Sequence, residues 1–170
     1  MSRAALAGLL ADPHVSRVLA ALNGDGEETR IVGGAVRNVL LGIPVTDIDL
    51  TTTATPDVVV ERAKAAGLKV ALTGYEHGTV TVIADKKPFE VTSLREDVET
   101  DGRRAIVRFG RDFDADAARR DFTINSMSLS ADGALHDPLG GQADLALRKV
   151  RFIGDARTRI AEDFLRILRF

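Results

Sequence analysis

A strand-turn-helix unit followed by two closely spaced acids limits most strongly how this chain can fold. The segment IVGGAVRNVLLGIPVTDIDL, residues 31–50, places Gly33-Gly34 between an apolar strand and an apolar helix that ends at Gly42. Paired glycines let the backbone approach a ligand closely, and the free N–H groups of a helix N-terminus bind phosphate. The unit therefore indicates an anion-binding turn that precedes a pair of carboxylates.

The acidic triplet D-I-D closes this segment. Side chains at positions i and i+2 of a strand point the same way, so Asp47 and Asp49 are expected to share one face while Ile48 enters the core. Carboxylates this close repel each other unless a cation lies between them, and oxygen ligands suit Mg²⁺. The triplet alone is a weak signal, because such triplets are common in strand-edge loops, and the glycine turn is what favours a metal site. A dinucleotide site is excluded, because GGAVRN lacks the G-x-G-x-x-G spacing.

The rest of the chain alternates strands and helices, mostly before residue 95. Apolar, β-branched runs predict strands at 29–32, 47–51, 69–72, 79–84 and 89–94, the last two joined by a hairpin at DKKP. Caps and glycines predict helices at about 13–22, 35–41 and 56–66, and ADAARRD near 114–121 looks helical. The predicted fold class is α/β (α+β): a mixed β-sheet flanked by helices, with two short helices in residues 1–28 packing on it.

Length and composition limit the size of the domain and the kinds of site that the chain can form. A chain of 170 residues is long enough for one domain with a sizeable core, and its net charge of −2 gives no overall basic surface for nucleic acid. The late arginines are interleaved with acids, so a mixed-charge surface is an open alternative to a binding face. The longest apolar runs are far shorter than a membrane span. Absence of cysteine excludes disulfides and thiolate zinc sites, and it fits a cytoplasmic location.

A third acid and a long polar segment follow the hairpin. Glu90 lies inside the apolar run FEVTSL, where an unpaired carboxylate is costly, so we expect either a supporting catalytic acid or a salt bridge to Arg95 or to a base on a neighbouring strand. Residues 95–114 are charged and contain glycine, and a stretch of that kind is typical of a functional loop.

The segment IAEDFLRILRF at the end of the chain predicts one amphipathic helix. It reaches Phe170 without a terminating signal, which favours continuation into further chain. Asp163 and Arg166 are three residues apart, so on one helix they would share a face. A carboxylate accepts from an exocyclic amine and a guanidinium donates to a ring nitrogen or carbonyl, an arrangement that suits cytosine and adenine. A surface ion pair is the alternative.

Five motifs together resemble one known family, the bacterial-type tRNA nucleotidyltransferases and poly(A) polymerases, which form the class II branch of the polymerase-β-like superfamily. From about Arg30 to Phe170 the order and spacing match at GGAVRN…DIDLTT, FEVTSLRED, RRDFTINSMS, DPLGG and EDFLRILRF. The resemblance implies a nucleotidyltransferase head domain at 29–155 and the start of a helical neck at 156–170, with the regions that hold RNA beyond Phe170.

The resemblance also implies residue roles. Asp47 and Asp49 would bind metal, expected to be two Mg²⁺ ions, with Glu90 as the supporting acid. The nucleotide-binding residues that it implies are Gly33, Gly34, Arg37, Arg119, Arg120, Asp121, Asn125, Asp163, Arg166 and Arg169. Asp163 and Arg166 would read the incoming base. One departure is Asn38, where the family pattern GGxVRD has an aspartate, since an amide holds Arg37 less firmly than a carboxylate.

The activity that the resemblance implies is template-independent addition of CMP and AMP, from CTP and ATP, to the 3′ end of tRNA. Poly(A) polymerase shares the same head motifs and is the first alternative. A nucleotide-binding module without turnover is the second. The charged segment at 95–114 corresponds to the loop that the family needs to switch from C to A addition.

Overall fold

The structure is a computed structural model that describes residues 3–96 and 108–170. Within these residues the α-helices are Arg3–Ala11 (α1), Pro13–Leu22 (α2), Gly34–Leu41 (α3), Pro56–Ala65 (α4), Phe113–Ala118 (α5), Gly141–Ala146 (α6), Ala156–Glu162 (α7) and Leu165–Arg169 (α8). Short 3₁₀ turns occur at Tyr75–His77 and Thr123–Asn125. No single helix in the described ranges has the length and apolar character to cross a membrane; α1 and α2 reach that composition only as a pair, bent by 78°.

The strands are Thr29–Val32 (β1), Asp49–Thr52 (β2), Lys69–Ala71 (β3), Thr79–Ala84 (β4), Lys87–Ser93 (β5), Arg95–Glu96 (β6), Arg108–Phe109 (β7), Ser128–Ser130 (β8) and Leu135–His136 (β9). Seven of them form a sheet in the order β3-β4-β5-β2-β1-β8-β9, and β6 pairs with β7 separately. The β2–β5 pair is parallel and the other pairs are antiparallel, so the sheet is mixed as the sequence predicted.

The sheet has one apolar face and one polar face because side chains alternate along each strand. The buried row that runs across it is Leu129, Ile31, Leu50, Val91 and Val80. These side chains belong to one core cluster with apolar residues of α2, α3 and α4. The neighbouring row on the opposite face is therefore free to carry polar groups.

Local signals explain the helix and hairpin ends. Asp12 Oδ1 accepts hydrogen bonds from the backbone N–H groups of His14 and Val15, which fixes the start of α2 ahead of Pro13. The hairpin between β4 and β5 turns at Asp85 and Lys86, which both have positive φ, the geometry of a two-residue turn.

The prediction of a strand at 47–51 was wrong by two residues at its start. β2 begins at Asp49, because its antiparallel partner β1 ends at Val32 and the chain turns away at Gly33. Asp47 therefore precedes the strand. Ile48 is still only 5% exposed, and the aspartates on either side of it are exposed, so the predicted alternation holds.

The expectation that regular elements stop near residue 95 was also wrong. β8 extends the sheet beyond β1, and the sequence pattern did not reveal this strand because Ser128 and Ser130 are buried although polar. The predicted helix in ADAARRD is confirmed only for its first four residues: α5 begins earlier, at Phe113, and ends at Ala118, before the two arginines. Of the polar segment 95–114, residues 97–107 lie outside the described residues.

The single C-terminal helix predicted from IAEDFLRILRF is two helices. Asp163 breaks it with extended backbone (φ −154°, ψ 103°), and its Oδ1 atom accepts from the N–H of Leu165 at 2.9 Å. Short acidic side chains compete for nearby backbone N–H groups in this way. Asp163 and Arg166 therefore do not share a helix face and do not pair with each other: Asp163 pairs with Arg169, and Arg166 with Glu162.

Candidate active site

An open cleft of about 370 Å³ lies where the glycine turn meets the polar face of the sheet. Nine residues line it, and all nine were singled out in the sequence: Gly33, Gly34, Arg37, Asp49, Arg120, Asp121, Asn125, Arg166 and Arg169. They come from four separate sequence motifs. The fold therefore brings into one place the residues that the motifs had marked separately.

The glycine turn forms one wall of the cleft. Gly33 has φ +68°, and a Cβ atom there would lie 3.1 Å from Arg120 Nη1. A side chain at position 33 would therefore meet both an unfavourable backbone conformation and the guanidinium that covers the turn. This close approach gives a physical reason for glycine at the start of α3.

Carboxylates line up across the sheet beside the turn. Val32, Asp49 and Glu90 are direct neighbours on β1, β2 and β5. Asp49 and Glu90 are both exposed on the polar face, and Asp47 is exposed just before β2. The pKa of Asp49 is raised, first by desolvation and then by the negative charges of Glu90 and Asp47. The positive charge of the nearby Arg120 opposes this shift. Within the described residues, no ion pair joins Glu90 to Arg95, the salt bridge considered from sequence.

This donor set fits Mg²⁺. The described residues contain no cluster of three or more His, Cys, Asp or Glu side chains that would cage a metal by themselves. Mg²⁺ typically takes one or two protein carboxylates and completes its shell with phosphate and water. Asp47 and Asp49 are exposed, and the acidic neighbours of Asp49 contribute to its raised pKa. A divalent cation bound between the two carboxylates would relieve their repulsion.

Arg37 is held by two amide oxygens. Its Nε and Nη2 atoms donate to Asn38 Oδ1 at 3.1 and 2.9 Å, and its Nη1 atom donates to Asn125 Oδ1 at 2.6 Å. Asn38 thus takes the orienting position that the family pattern gives to an aspartate. Since both partners are neutral, the charge of Arg37 is not cancelled by a carboxylate within this set of contacts.

A chain of side-chain contacts leads from Arg37 to the last helices. Asn125 Nδ2 donates to Asp121 Oδ1 at 3.0 Å, and Asp121 Oδ2 accepts from Arg169 Nε at 3.0 Å. Arg169 Nη2 donates to Asp163 Oδ2, also at 3.0 Å. The contacts join the glycine turn, the Arg-Arg-Asp segment and the C-terminal motif in one network.

Arg166 enters the cleft from α8. Its Nη1 atom donates to the backbone oxygen of Arg159 at 2.6 Å and to Glu162 Oε2 at 2.7 Å. Its Nε atom is buried and has no hydrogen-bond partner among the described residues. A buried donor without a partner is costly to the folded state.

Four residues with expected roles lie outside the cleft lining: Asp47, Glu90, Arg119 and Asp163. Arg119 Nη2 donates to the backbone oxygen of Arg95 in β6 at 3.0 Å. His77 and His136 also lie elsewhere. His77 comes before β4 at the end of the sheet away from Asp49, and His136 on β9 contacts Ser130 Oγ at 2.7 Å.

Sequence reasoning missed two supporting residues. Asp116 precedes Arg119 and Arg120 by three and four residues, a helical spacing that could have identified it as their partner. Gly141 belongs to the DPLGG motif, but the motif did not assign it a role. A Cβ atom there would lie 2.3 Å from the backbone oxygen of Thr123, so α6 packs directly on the segment that follows Asp121. Nothing in the sequence pattern alone marks that contact.

Comparisons with known proteins agree with this geometry. The family model of the poly(A) polymerase head domain matches residues 29–151. The mitochondrial CCA tRNA nucleotidyltransferase 1 of Mus musculus is 51% identical over 147 residues, which cover 86% of this chain and 34% of the relative. The CCA-adding enzyme of Geobacillus thermodenitrificans is 40% identical over 154 residues, 89% of this chain and 37% of the relative. The chain thus spans about a third of the length of the curated relatives it matches.

Solved structures show the same fold. The Bacillus stearothermophilus CCA-adding enzyme in complex with CTP superposes with a TM-score of 0.78 at 37% identity, covering 93% of this chain and 38% of that one. A tRNA nucleotidyltransferase complexed with a primer tRNA and an incoming ATP analog gives 0.68 at 34% identity, with 85% and 40% covered. Because the family model covers most of the chain and the described fold agrees with it, the chain belongs to the poly(A) polymerase head-domain family, which includes the CCA-adding tRNA nucleotidyltransferases.

Proposed function

We propose that this chain is the catalytic head of a template-independent nucleotidyltransferase that adds CMP and AMP to the 3′ end of tRNA. The observation that carries the proposal is the row Val32, Asp49 and Glu90, which places two acids at the mouth of the glycine-turn cleft. The relatives named as CCA-adding enzymes, and the related structures with CTP and with primer tRNA, support CTP, ATP and a tRNA 3′ end as substrates.

Each part of the cleft has a role in this proposal. The N-terminus of α3, Arg37 and Arg120 bind the negative triphosphate of the incoming nucleotide. Asp47 and Asp49 hold Mg²⁺, and Glu90 adds negative charge beside them. Bound Mg²⁺ would lower the pKa of the attacking 3′ hydroxyl and stabilise the leaving pyrophosphate. Asp121 and Asn125 keep Arg37 and Arg169 oriented while the α-phosphate is attacked.

The C-terminal residues select the base. Asp163 accepts from the amine of cytosine or adenine, and Arg166 donates to the adjacent acceptor. The position of Arg166 in the lining of the cleft supports this role. The role does not need the two residues to share a helix face, since Arg166 lines the cleft and Asp163 is hydrogen-bonded to Arg169, which also lines it.

The proposal includes a division of the chain: residues 1–28 pack on the head, 29–155 form it, and 156–170 begin a helical neck. It also includes a cytoplasmic location, although the matched relatives comprise a mitochondrial enzyme and bacterial enzymes. Poly(A) addition remains the alternative activity, because its head domain gives the family its name. Nucleotide binding without transfer is the other alternative.

The test uses tRNA that lacks its CCA end and is labelled at the 5′ end. We would assay the purified chain, and a chimera in which it replaces the matched region of the Geobacillus thermodenitrificans enzyme, with CTP, ATP or both. We expect the chimera to add two residues with CTP and three with both nucleotides. Long tails with ATP alone would instead assign poly(A) addition. Nucleotide binding without any extension, in a chimera that still binds tRNA, would contradict both activities. The chimera carrying Asp49→Ala is the control for residual host activity.

A further inference from the structure

Asp116 lies on α5 one turn before the two arginines of the Arg-Arg-Asp segment. Its Oδ2 atom accepts a hydrogen bond of 3.0 Å from Arg120 Nη2, and its Oδ1 atom lies 3.8 Å from Arg119 Nη2. The side chains of the three residues are 26%, 27% and 32% exposed, for Asp116, Arg120 and Arg119 respectively. One partly buried carboxylate therefore faces two guanidinium groups.

The two arginines contact different parts of the structure. Arg120 covers Gly33 and lines the cleft, where its charge also acts on Asp49. Arg119 donates to the backbone oxygen of Arg95, in the short strand β6 that pairs with β7. Asp116 is thus the shared contact between the nucleotide cleft and this separate pair of strands.

Asp116 is not the only acid near Arg120 among the described residues. Asp49 lies close enough for the positive charge of Arg120 to oppose the rise in its pKa, and Glu90 is the strand neighbour of Asp49. Without Asp116, the flexible arginine side chain would be drawn towards these acids, which would withdraw it from a phosphate and cover the metal site. The charge-assisted hydrogen bond from Arg120 to Asp116 opposes this movement.

We propose that Asp116 is a positioning residue that keeps Arg120 over the glycine turn for phosphate binding and, through Arg119, couples the β6–β7 strand pair to that arrangement. The proposal rests on the proposed function of the cleft. It assigns Asp116 no contact with the substrate. Its effect on binding passes through Arg120, whereas its effect on the strand pair passes through Arg119.

The first test measures binding of inorganic tripolyphosphate to the purified chain by calorimetry, which needs neither base nor RNA. We expect Asp116→Asn to bind about tenfold more weakly than the wild type, because a neutral amide holds Arg120 less firmly. The matched control is Asp114→Asn, an exposed acid on the same helix, for which we expect no change. Equal binding by the Asp116 and Asp114 variants would overturn the proposal.

A double-mutant cycle separates positioning from general stabilisation. If Asp116 acts through Arg120, Asp116→Asn in an Arg120→Ala background should weaken binding no further. Additive losses in the folded variants would instead assign a purely structural role and overturn the proposal.

Hydrogen exchange at residues 95–96 and 108–109 tests the coupling without any ligand. It should become faster in Asp116→Asn and stay unchanged in Asp114→Asn. If the wild type fails to bind tripolyphosphate, the proposed function of the cleft is wrong, and this exchange measurement alone decides whether Asp116 makes the link to β6 and β7.

Discussion

The Nε atom of Arg169 lies 3.0 Å from Oδ2 of Asp121, so the last helix is tied directly to the Arg-Arg-Asp segment. The same guanidinium donates to Asp163. Beside this contact, Phe170 stacks on Phe152 with ring centroids 5.6 Å apart. Polar and aromatic contacts together hold α8 against the cleft.

Arg169→Ala should loosen this attachment. The aromatic contact remains, so we expect faster hydrogen exchange at residues 163–170 and little change in the sheet. The loss in unfolding free energy should be no more than about 1 kcal/mol, as for other partly exposed ion pairs. Arg157→Ala, an exposed arginine on α7, is the matched control. Equal exchange in the two variants would show that Arg169 does not hold α8.

Asp49→Asn should remove the effect of Mg²⁺ on stability. In the wild type the acids near Asp49 repel one another, and a bound cation would raise Tm by mass action. We expect millimolar Mg²⁺ to raise Tm of the wild type and of Glu76→Gln, an exposed acid at the far end of the sheet, but not that of Asp49→Asn. Nucleotide transfer by the chimera should fall by more than about a hundredfold. A variant that keeps both the Mg²⁺ shift and the activity would refute the metal assignment.

Asp163→Asn tests base selection while keeping the local backbone contact. Its remaining side-chain oxygen can still accept from the N–H of Leu165, so α8 should keep its start. The substitution removes the carboxylate that would accept a hydrogen bond from the amine of the base. The site should then discriminate less strongly against a base whose hydrogen-bonding groups do not match it. We expect the ratio of kcat/KM for CTP to that for UTP, measured with the chimera, to fall by about tenfold or more. A uniform loss for both nucleotides would reduce Asp163 to a structural role.

Gly141→Ala should destabilise the fold by about 1–3 kcal/mol, because a Cβ atom 2.3 Å from the Thr123 oxygen forces α6 away from the site. Gly8→Ala is the matched control. Gly8 lies on α1 with nothing within 4 Å of its added Cβ, so alanine there should stabilise by about 0.4–1 kcal/mol. Denaturant unfolding of both variants measures the difference. Stabilisation by both would contradict the close packing of α6.

The lowered pKa of Asp144 predicts that the folded state loses stability in acid. Hydrogen bonds from Thr123 Oγ1 at 2.5 Å and from Arg151 Nε at 2.9 Å lower the pKa of Asp144 below its ordinary value of 3.8. A lowered pKa stabilises the folded state above the unfolded value, and this contribution is lost as the pH falls below about 4. Asp144→Asn should therefore be less stable than the wild type at pH 7.

The stability difference between wild type and Asp144→Asn should shrink as the pH falls from 4 to 2. Denaturant unfolding at several pH values measures it. The control is Asp25→Asn, which should show no such trend. Asp25 is fully exposed, and asparagine also tolerates the positive φ at this position. A difference that stays constant with pH would contradict the assignment.

The sequence by itself determined the elements whose signals are local. Asp12 and Pro13 start α2, Gly33 and Gly42 bound α3, and the alternation around Ile48 sends its flanking acids to the surface, because each depends on backbone geometry or side-chain direction within a few residues. The motifs also identified the nine residues that line the cleft, since the family resemblance marks residue types and spacing.

Only the tertiary structure decided which of these residues touch. The start of β2 depends on where β1 turns away, and the hydrogen bond from Arg169 to Asp121 depends on how α8 meets the Arg-Arg-Asp segment. The close approach of Gly141 to Thr123 is set by how α6 packs on the segment that follows Asp121. Such contacts join residues distant in sequence, and local patterns carry no information about that distance.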